Sequence, residues 1–134
     1  MTRAPRTLAA SLTIALVTAC EREGPRPVRA PREAMGQLIR CTLDGVGAAP
    51  PPGRLEGEMR QALRHDRAHF AERAGTCESA LETEGGAHAC VARLRSRWAE
   101  MLTVVQRPSP DAIDQDVAVR RVSEAYIEAS RDCP

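Results

Sequence analysis

The residues best suited to chemistry by type and spacing lie in the octapeptide HDRAHFAE, residues 65–72. It places His65, His69 and Glu72 at positions i, i+4 and i+7, which share one face of an α-helix. Two imidazoles one turn apart can bind one metal ion, and the carboxylate one turn further could join them. A zinc metalloprotease would read H-E-x-x-H, with a glutamate as general base where this chain has the shorter Asp66. The pattern therefore favours ordinary surface groups, with a metal buffer or sensor as the alternative.

Other catalytic patterns are missing from the sequence. It contains no G-x-S-x-G nucleophile elbow, and no glycine-rich loop of the kind that holds phosphate before a helix. The basic and acidic residues nearly balance, at 19 and 18, and the few aromatic side chains (Phe70, Trp98 and Tyr126) form no platform for stacked bases. We therefore predict a protein that has no catalytic residue and no cofactor, and that binds no nucleic acid.

The N-terminus has the layout of a secretory signal. Arg3 and Arg6 are followed by an uncharged and largely apolar run from Leu8 to Ala19. A helix of that length spans roughly 18 Å, whereas the hydrocarbon core of a bilayer is roughly 30 Å thick. A positive segment, a short apolar segment and small residues at its end are typical of a cleaved signal peptide rather than a membrane span.

The apolar run ends in the tetrapeptide Val17-Thr18-Ala19-Cys20. This tetrapeptide resembles the lipobox of bacterial lipoproteins, in which an aliphatic residue and two small residues precede a cysteine. The resemblance implies cleavage after Ala19 and lipidation of Cys20, which would anchor the protein in a membrane of the cell envelope. In the sorting rule of enteric bacteria, an aspartate after the lipidated cysteine favours the inner membrane, and this chain has Glu21 instead. The expected location is therefore the outer membrane, facing the periplasm.

Three segments follow from this interpretation. Residues 1–19 form the signal peptide, residues 20–32 form a flexible tether rich in proline and arginine, and residues 33–134 form the folded domain. A domain of this length can enclose one hydrophobic core. Without Arg3 and Arg6 the mature chain has 17 basic against 18 acidic residues, so it has no strong overall field.

The predicted domain contains four further cysteines, Cys41, Cys77, Cys90 and Cys133. An even number outside the cytoplasm predicts two disulfides. Because Cys77 and Cys90 flank the pair of glycines at 85–86, we expect them to pair across a helical hairpin, and Cys41 would then pair with Cys133. The alternative pairs Cys41 with Cys77 and Cys90 with Cys133.

The apolar residues of the domain recur at spacings of three, four and seven, which predicts amphipathic helices. We expect helices over about 32–43, 54–81, 87–106 and from 110 onwards. Gly75-Thr76 is expected to kink or divide the second helix, Ser109 to cap the fourth, and Ile113 and Val117 to join its buried stripe. The predicted fold is all-α: a small four-helix, up-and-down bundle cross-linked by two disulfides.

Arg60, Arg64 and Arg67 form a basic strip along the second predicted helix. Acidic residues are interleaved with them, so we expect a solvated face with i, i+4 pairs, and a surface that binds a partner as the alternative. The expected function is a non-catalytic interaction or assembly module, attached to the membrane through Cys20 and bound to another envelope protein. The alternative is a periplasmic inhibitor or immunity lipoprotein.

Overall fold

The computed structural model describes residues 30–45, 47–81 and 89–134, and in this part of the chain it contains five α-helices and no strand. The helices are α1 (Pro31–Thr42), α2 (Leu55–His65), α3 (Arg67–Cys77), α4 (Ala89–Val105) and α5 (Ala112–Asp132). Short 3-10 turns, Pro52–Arg54 and Glu78–Leu81, precede α2 and follow α3. The all-α prediction is confirmed, but the predicted count of four helices is wrong. The signal peptide, the lipobox and the glycine pair at 85–86 lie outside the described residues.

The additional helix arises at Asp66, which divides the predicted second helix into α2 and α3. Asp66 has an extended backbone, with φ −155° and ψ 93°. Its N–H donates to Ala62 O at 3.0 Å and closes α2, while its Oδ1 accepts from His69 N at 3.0 Å and caps α3. The break expected at Gly75-Thr76 is wrong, because the Thr76 hydroxyl donates to the carbonyl of Glu72 inside the continuing helix.

The fourth predicted helix also begins at an aspartate. Asp111 Oδ1 accepts from Ile113 N at 2.7 Å and from Asp114 N at 3.4 Å. Helix α5 therefore starts at Ala112, and the expectation that Ser109 is its cap is wrong. Both caps are aspartates. A carboxylate suits the N-terminus of a helix, because its two oxygens accept hydrogen bonds from free N–H groups and its negative charge is attracted to the positive end of the helix dipole.

The centre of the fold is the antiparallel pair α4 and α5, which form the most extensive contact between any two described helices. Helix α2 packs on α5, α3 packs on α4, and α1 lies against α3 and the Glu78–Leu81 turn. Trp98 of α4 is completely buried, and its indole Nε1 donates to Ala74 O of α3 at 3.1 Å. The rest of the core is mainly aliphatic. Its fully buried members include Met35, Leu38, Ile39, Leu55, Met59, Leu81, Leu94 and Met101.

The chain enters the domain at the end where it also leaves it. Arg32 N donates to Pro134 O at 3.1 Å, and the Arg32 guanidinium donates to Ser130 O at 2.8 Å and to Cys133 O at 3.0 Å. Arg32 thereby satisfies carbonyls at the C-terminus of α5 that no helical N–H can reach. The first turn of α1 and the last turn of α5 therefore lie together.

The two disulfides join Cys41 to Cys77 and Cys90 to Cys133, with Cα–Cα distances of 5.8 and 5.4 Å. The favoured prediction, Cys77 with Cys90 and Cys41 with Cys133, is wrong. Cys41 lies at the far end of α1 from Arg32, roughly 13 Å along the helix from the residue that contacts Pro134, and disulfides need Cα atoms within about 7 Å. The end of α1 meets the end of α3 instead, and the start of α4 meets the end of α5.

Candidate functional site

Three polar side chains meet where the chain leaves α1, and we call Asp44, His69 and Arg73 the Asp44 cluster. Asp44 has a left-handed backbone, with φ +51°, which turns the chain after α1. Its Oδ1 accepts from Arg73 Nε at 2.9 Å, and its Oδ2 is hydrogen-bonded to His69 Nε2. The Arg73 guanidinium also donates to Cys41 O at 2.9 Å. The cluster therefore fixes the end of α1 to α3 beside the Cys41–Cys77 disulfide.

The electrostatics of the cluster favour an ionised Asp44. The pKa of Asp44 lies below its ordinary value, mainly because His69 hydrogen-bonds to the carboxylate; partial desolvation opposes the shift, and the charges of His69 and Arg73 add to it. Both carboxylate oxygens are already bonded to protein donors. Each oxygen of an ionised carboxylate can accept two hydrogen bonds, so these contacts orient Asp44 without using all of its acceptor capacity.

Two of the three predicted metal candidates, His65 and His69, line one hollow between the end of α1 and the α2–α3 junction, whereas Glu72 is not among its lining residues. His65 is the last residue of α2, whereas His69 lies in α3 beyond the break at Asp66, so the two do not share one continuous helix. His69 is hydrogen-bonded to Asp44, and Glu72 is exposed on α3. Within the residues that the structure describes, no group of three or more His, Cys, Asp or Glu side chains could hold a metal ion.

A hollow of about 290 Å³ adjoins the Asp44 cluster between the end of α1 and the α2–α3 junction. Its apolar lining includes Leu43 and Phe70, and its polar lining includes Glu58 and Asp66. Thr42 also lines it, and the Thr42 hydroxyl is buried without a hydrogen-bond partner. A buried hydroxyl without a partner lowers the free energy of unfolding, so this residue is a useful place to test the packing.

A groove of about 410 Å³ runs between α2 and the first turns of α5, and we call it the basic groove. Three arginines and one aspartate supply its charges, and apolar atoms of Leu63 and Ala112 contribute to its lining. The complete lining is Arg60, Leu63, Arg64, Arg67, Ala112, Gln115 and Asp116. The arginine strip predicted from the sequence therefore forms one wall of a concave surface rather than a flat face.

The three arginines of the basic groove differ in their partners. Arg60 pairs with Glu56 one turn away, at 2.7 Å, as expected for a solvated face, and it also lies 3.4 Å from Asp116. Arg67 donates instead to carbonyl groups at and beyond the end of α4, including Val105 O and Arg107 O, both at 2.9 Å. Arg64 is exposed and has no ion pair or hydrogen bond among the described residues.

Two exposed apolar side chains adjoin the basic groove in sequence. Ile113 is 72% exposed and Val117 is 37% exposed, and they are the large apolar side chains that the described residues present to solvent. The expectation that both join the buried stripe of α5 is wrong. That stripe consists of Ala118, Val119, Val122, Ala125, Tyr126 and Ala129. At 100° per residue, positions 113 and 117 lie on the opposite side of α5, and the spacing of five between 117 and 122 was the available signal.

Comparisons with known proteins do not assign the chain to a family. No family model, no curated protein and no solved structure matches it. None of the helices in the described ranges is long and apolar enough to cross a membrane. A function for the chain therefore rests on its own residues and geometry.

Proposed function

We propose that this protein is a lipid-anchored module of the bacterial cell envelope that binds another envelope protein and catalyses no reaction. Its anchor would be a diacylglycerol thioether on Cys20, and its expected location is the outer membrane, facing the periplasm. The observation that carries the proposal is the pairing of the other four cysteines.

The chain has five cysteines, and the two disulfides use Cys41, Cys77, Cys90 and Cys133. Cys20 therefore has no cysteine of its own chain left to pair with. An unpaired, reactive thiol is unfavourable in an oxidising compartment, whereas a lipidated cysteine is chemically inert there. The disulfides thus support the lipobox-like sequence that ends at Cys20, and they support an extracytoplasmic location.

The polar clusters support a binding role rather than catalysis. The histidine and arginine of the Asp44 cluster are both bonded to Asp44, and these contacts fix the end of α1 to α3. Arg67 is bonded to backbone carbonyls and has a structural role. The basic groove offers the exposed Arg64, with the exposed apolar side chains of α5 nearby, and arginine is enriched at protein interfaces.

The test is the intact mass of the mature protein isolated from its native membranes. We expect a chain that begins at Cys20, is heavier than the unmodified polypeptide by its acyl groups, and resists extraction by high salt. Cys20→Ala should remove the added mass and the membrane retention, whereas the control Ser109→Ala, at an exposed loop position, should retain both. A wild-type mass equal to that of the unmodified chain beginning at Cys20 would exclude the anchor.

A further inference from the structure

The basic groove lies at the end of the domain opposite to the point where the tether enters. The tether joins α1 at Pro31, and the next residue contacts Pro134 beyond the end of α5. The groove is built on the first turns of the same helix, which has 21 residues and is therefore about 30 Å long. In a protein anchored through Cys20, the groove is the part of α5 farthest from the tether, where a partner can approach with least obstruction from the membrane.

The charges of the groove are unbalanced. Arg60, Arg64 and Arg67 line it with Asp116 as the one acid among its lining residues, although the whole chain has a net charge of only +1. Asp116 lies within ion-pair distance of Arg60 Nε, at 3.4 Å, yet that buried nitrogen makes no hydrogen bond. Arg64 has neither kind of partner among the described residues. Because Arg60 also pairs with Glu56 at 2.7 Å and Arg67 is bonded to backbone carbonyls, the excess of guanidinium donors in the groove is carried by Arg64.

Guanidinium groups bind carboxylates with two parallel hydrogen bonds, so an acidic ligand fits this excess better than a neutral or basic one. The position of Arg67 is fixed by its bonds to Val105 O and Arg107 O, so this wall of the groove is ordered before any ligand arrives. Order of this kind lowers the entropy lost on binding.

The exposed side chains of Ile113 and Val117 add an apolar requirement. They are one turn apart on α5, and Ile113 lies three residues before the groove residue Asp116, so these two side chains are neighbours on the surface of the helix. Removal of these two side chains from water is favourable, and aliphatic side chains of a partner could bury them. A phosphate or another small anion would satisfy the arginines but would leave this apolar pair in water.

We infer that the partner docks on the basic groove through a segment that carries a carboxylate for Arg64 and an aliphatic side chain for Ile113 and Val117. This inference rests on the proposed function, since it names the chemistry of the partner that the anchored module would bind. The ligand is a stretch of polypeptide that is acidic and apolar together, and it belongs to another protein rather than to a second copy of this chain.

The test uses the photoreactive amino acid p-benzoylphenylalanine at position 113, and separately at position 117, in the full chain expressed in its native cells. After irradiation, the cross-linked peptide is identified by mass spectrometry. We expect a segment of another protein with several acidic residues beside a leucine, isoleucine or valine. Arg64→Glu should lower the yield of this adduct about tenfold, because it replaces attraction by repulsion at the edge of the groove.

The matched control is Arg131→Glu, which reverses another exposed arginine, at the opposite end of α5, that has no ion pair with any residue the structure describes. It should leave the adduct yield within about twofold, because it lies more than two Debye lengths from the groove. Replacement of an acid in the identified segment by arginine should restore the adduct with Arg64→Glu. A cross-link to lipid, to a second copy or to a neutral or basic segment, no adduct at all, or equal losses with both charge reversals would overturn the inference.

The docking inference and the proposed lipid anchor can be refuted independently of each other. If the mass of the mature protein shows acyl groups but the cross-linking result contradicts the inference, the protein is still an anchored module and the groove is not its docking surface. If the mass shows no acyl group, the proposed function is lost, whatever the cross-link gives.

Discussion

The disulfides offer the most quantitative prediction from this structure. The Cys41–Cys77 bond closes a segment with a sequence separation of 36, and the Cys90–Cys133 bond closes one with a separation of 43. The loss of chain entropy in the unfolded state grows only with the logarithm of loop length, so each bond is expected to stabilise the domain by about 4 kcal/mol. Removing either pair by alanine substitution should therefore cost nearly the same free energy of unfolding.

A loss of this size is large for a domain whose total stability is expected to be about 5–15 kcal/mol. It should lower the melting temperature by roughly 15–30 °C, since 1 kcal/mol corresponds to about 4–8 °C in a domain of about 100 residues. The measurement is thermal and urea unfolding of the acylated protein, followed by circular dichroism. The two alanine pairs serve as controls for each other, because their loops differ by only a few residues.

Thiol titration of the variants separates this pairing from the one expected from the sequence. Cys41→Ala with Cys77→Ala should leave no free thiol, because Cys90 and Cys133 still pair. The crossed variant, Cys77→Ala with Cys90→Ala, should leave two free thiols, because Cys41 and Cys133 are held apart by most of α1. Two free thiols in the first variant and none in the second would refute the pairing. An unfolding free energy lowered by less than about 1 kcal/mol would refute the entropy argument.

Three further substitutions test individual contacts. Asp44→Asn should remove a stabilisation that depends on pH, because the pKa of Asp44 is lowered in the folded protein. The wild type should become more stable than the variant as the pH rises through the folded pKa, and the gain should be complete above the ordinary value of 3.8. A difference in melting temperature that is constant from about pH 2 to 6 would contradict this. Thr42→Val should raise the free energy of unfolding by about 1 kcal/mol, because it removes a buried hydroxyl without a partner. A lower free energy of unfolding for the variant, measured with urea, would show that the hydroxyl is hydrogen-bonded. Asp66→Ala should lower the free energy of unfolding by about 1 kcal/mol through loss of the α3 cap, whereas Asp66→Asn should retain most of the stability. Equal losses of stability in the two variants would exclude capping as the cause.

The sequence predicts the class of the fold because helical periodicity is a local property. Spacings of three, four and seven identified the buried faces of α1, α2, α3 and α4 without knowledge of their neighbours. The ends of the helices were harder to predict, since several residues near each end could act as a cap. Asp66 and Asp111 act as caps in the structure, while Ser109, which was expected to cap the fourth helix, does not.

Tertiary relations could not be read from periodicity. The disulfide pairing depends on whether the end of α1 meets α3 or the end of α5, and both arrangements satisfy the same apolar pattern. The basic groove was visible only as a strip of arginines, because its opposite wall is supplied by α5, which follows more than 40 residues later. The apolar pair Ile113 and Val117 was misassigned to the core, because a spacing of four alone does not establish which side of a helix is buried.

The basic groove also lies along a junction that the disulfides do not cross directly. Helix α2 is joined to α5 by packing and by two pairs of side chains, Arg60 with Asp116 at 3.4 Å and Arg120 with Glu56 at 3.7 Å. Ion pairs near the surface contribute only about 0–1 kcal/mol each, so these pairs could be exchanged for pairs with a partner's carboxylate at little cost in stability.

The core beneath remains unaffected by such an exchange, because Leu55 and Met59 of α2 are buried independently of the ion pairs. The groove can therefore change its ionic partners while the fold is maintained by the aliphatic core and the two disulfides. This separation predicts that Asp116→Asn should strengthen binding of the acidic segment, since it removes the one carboxylate in the lining of the groove, which would repel an acidic ligand. Weaker binding, measured as a lower photo-adduct yield from position 113, would show instead that Asp116 itself contacts the partner.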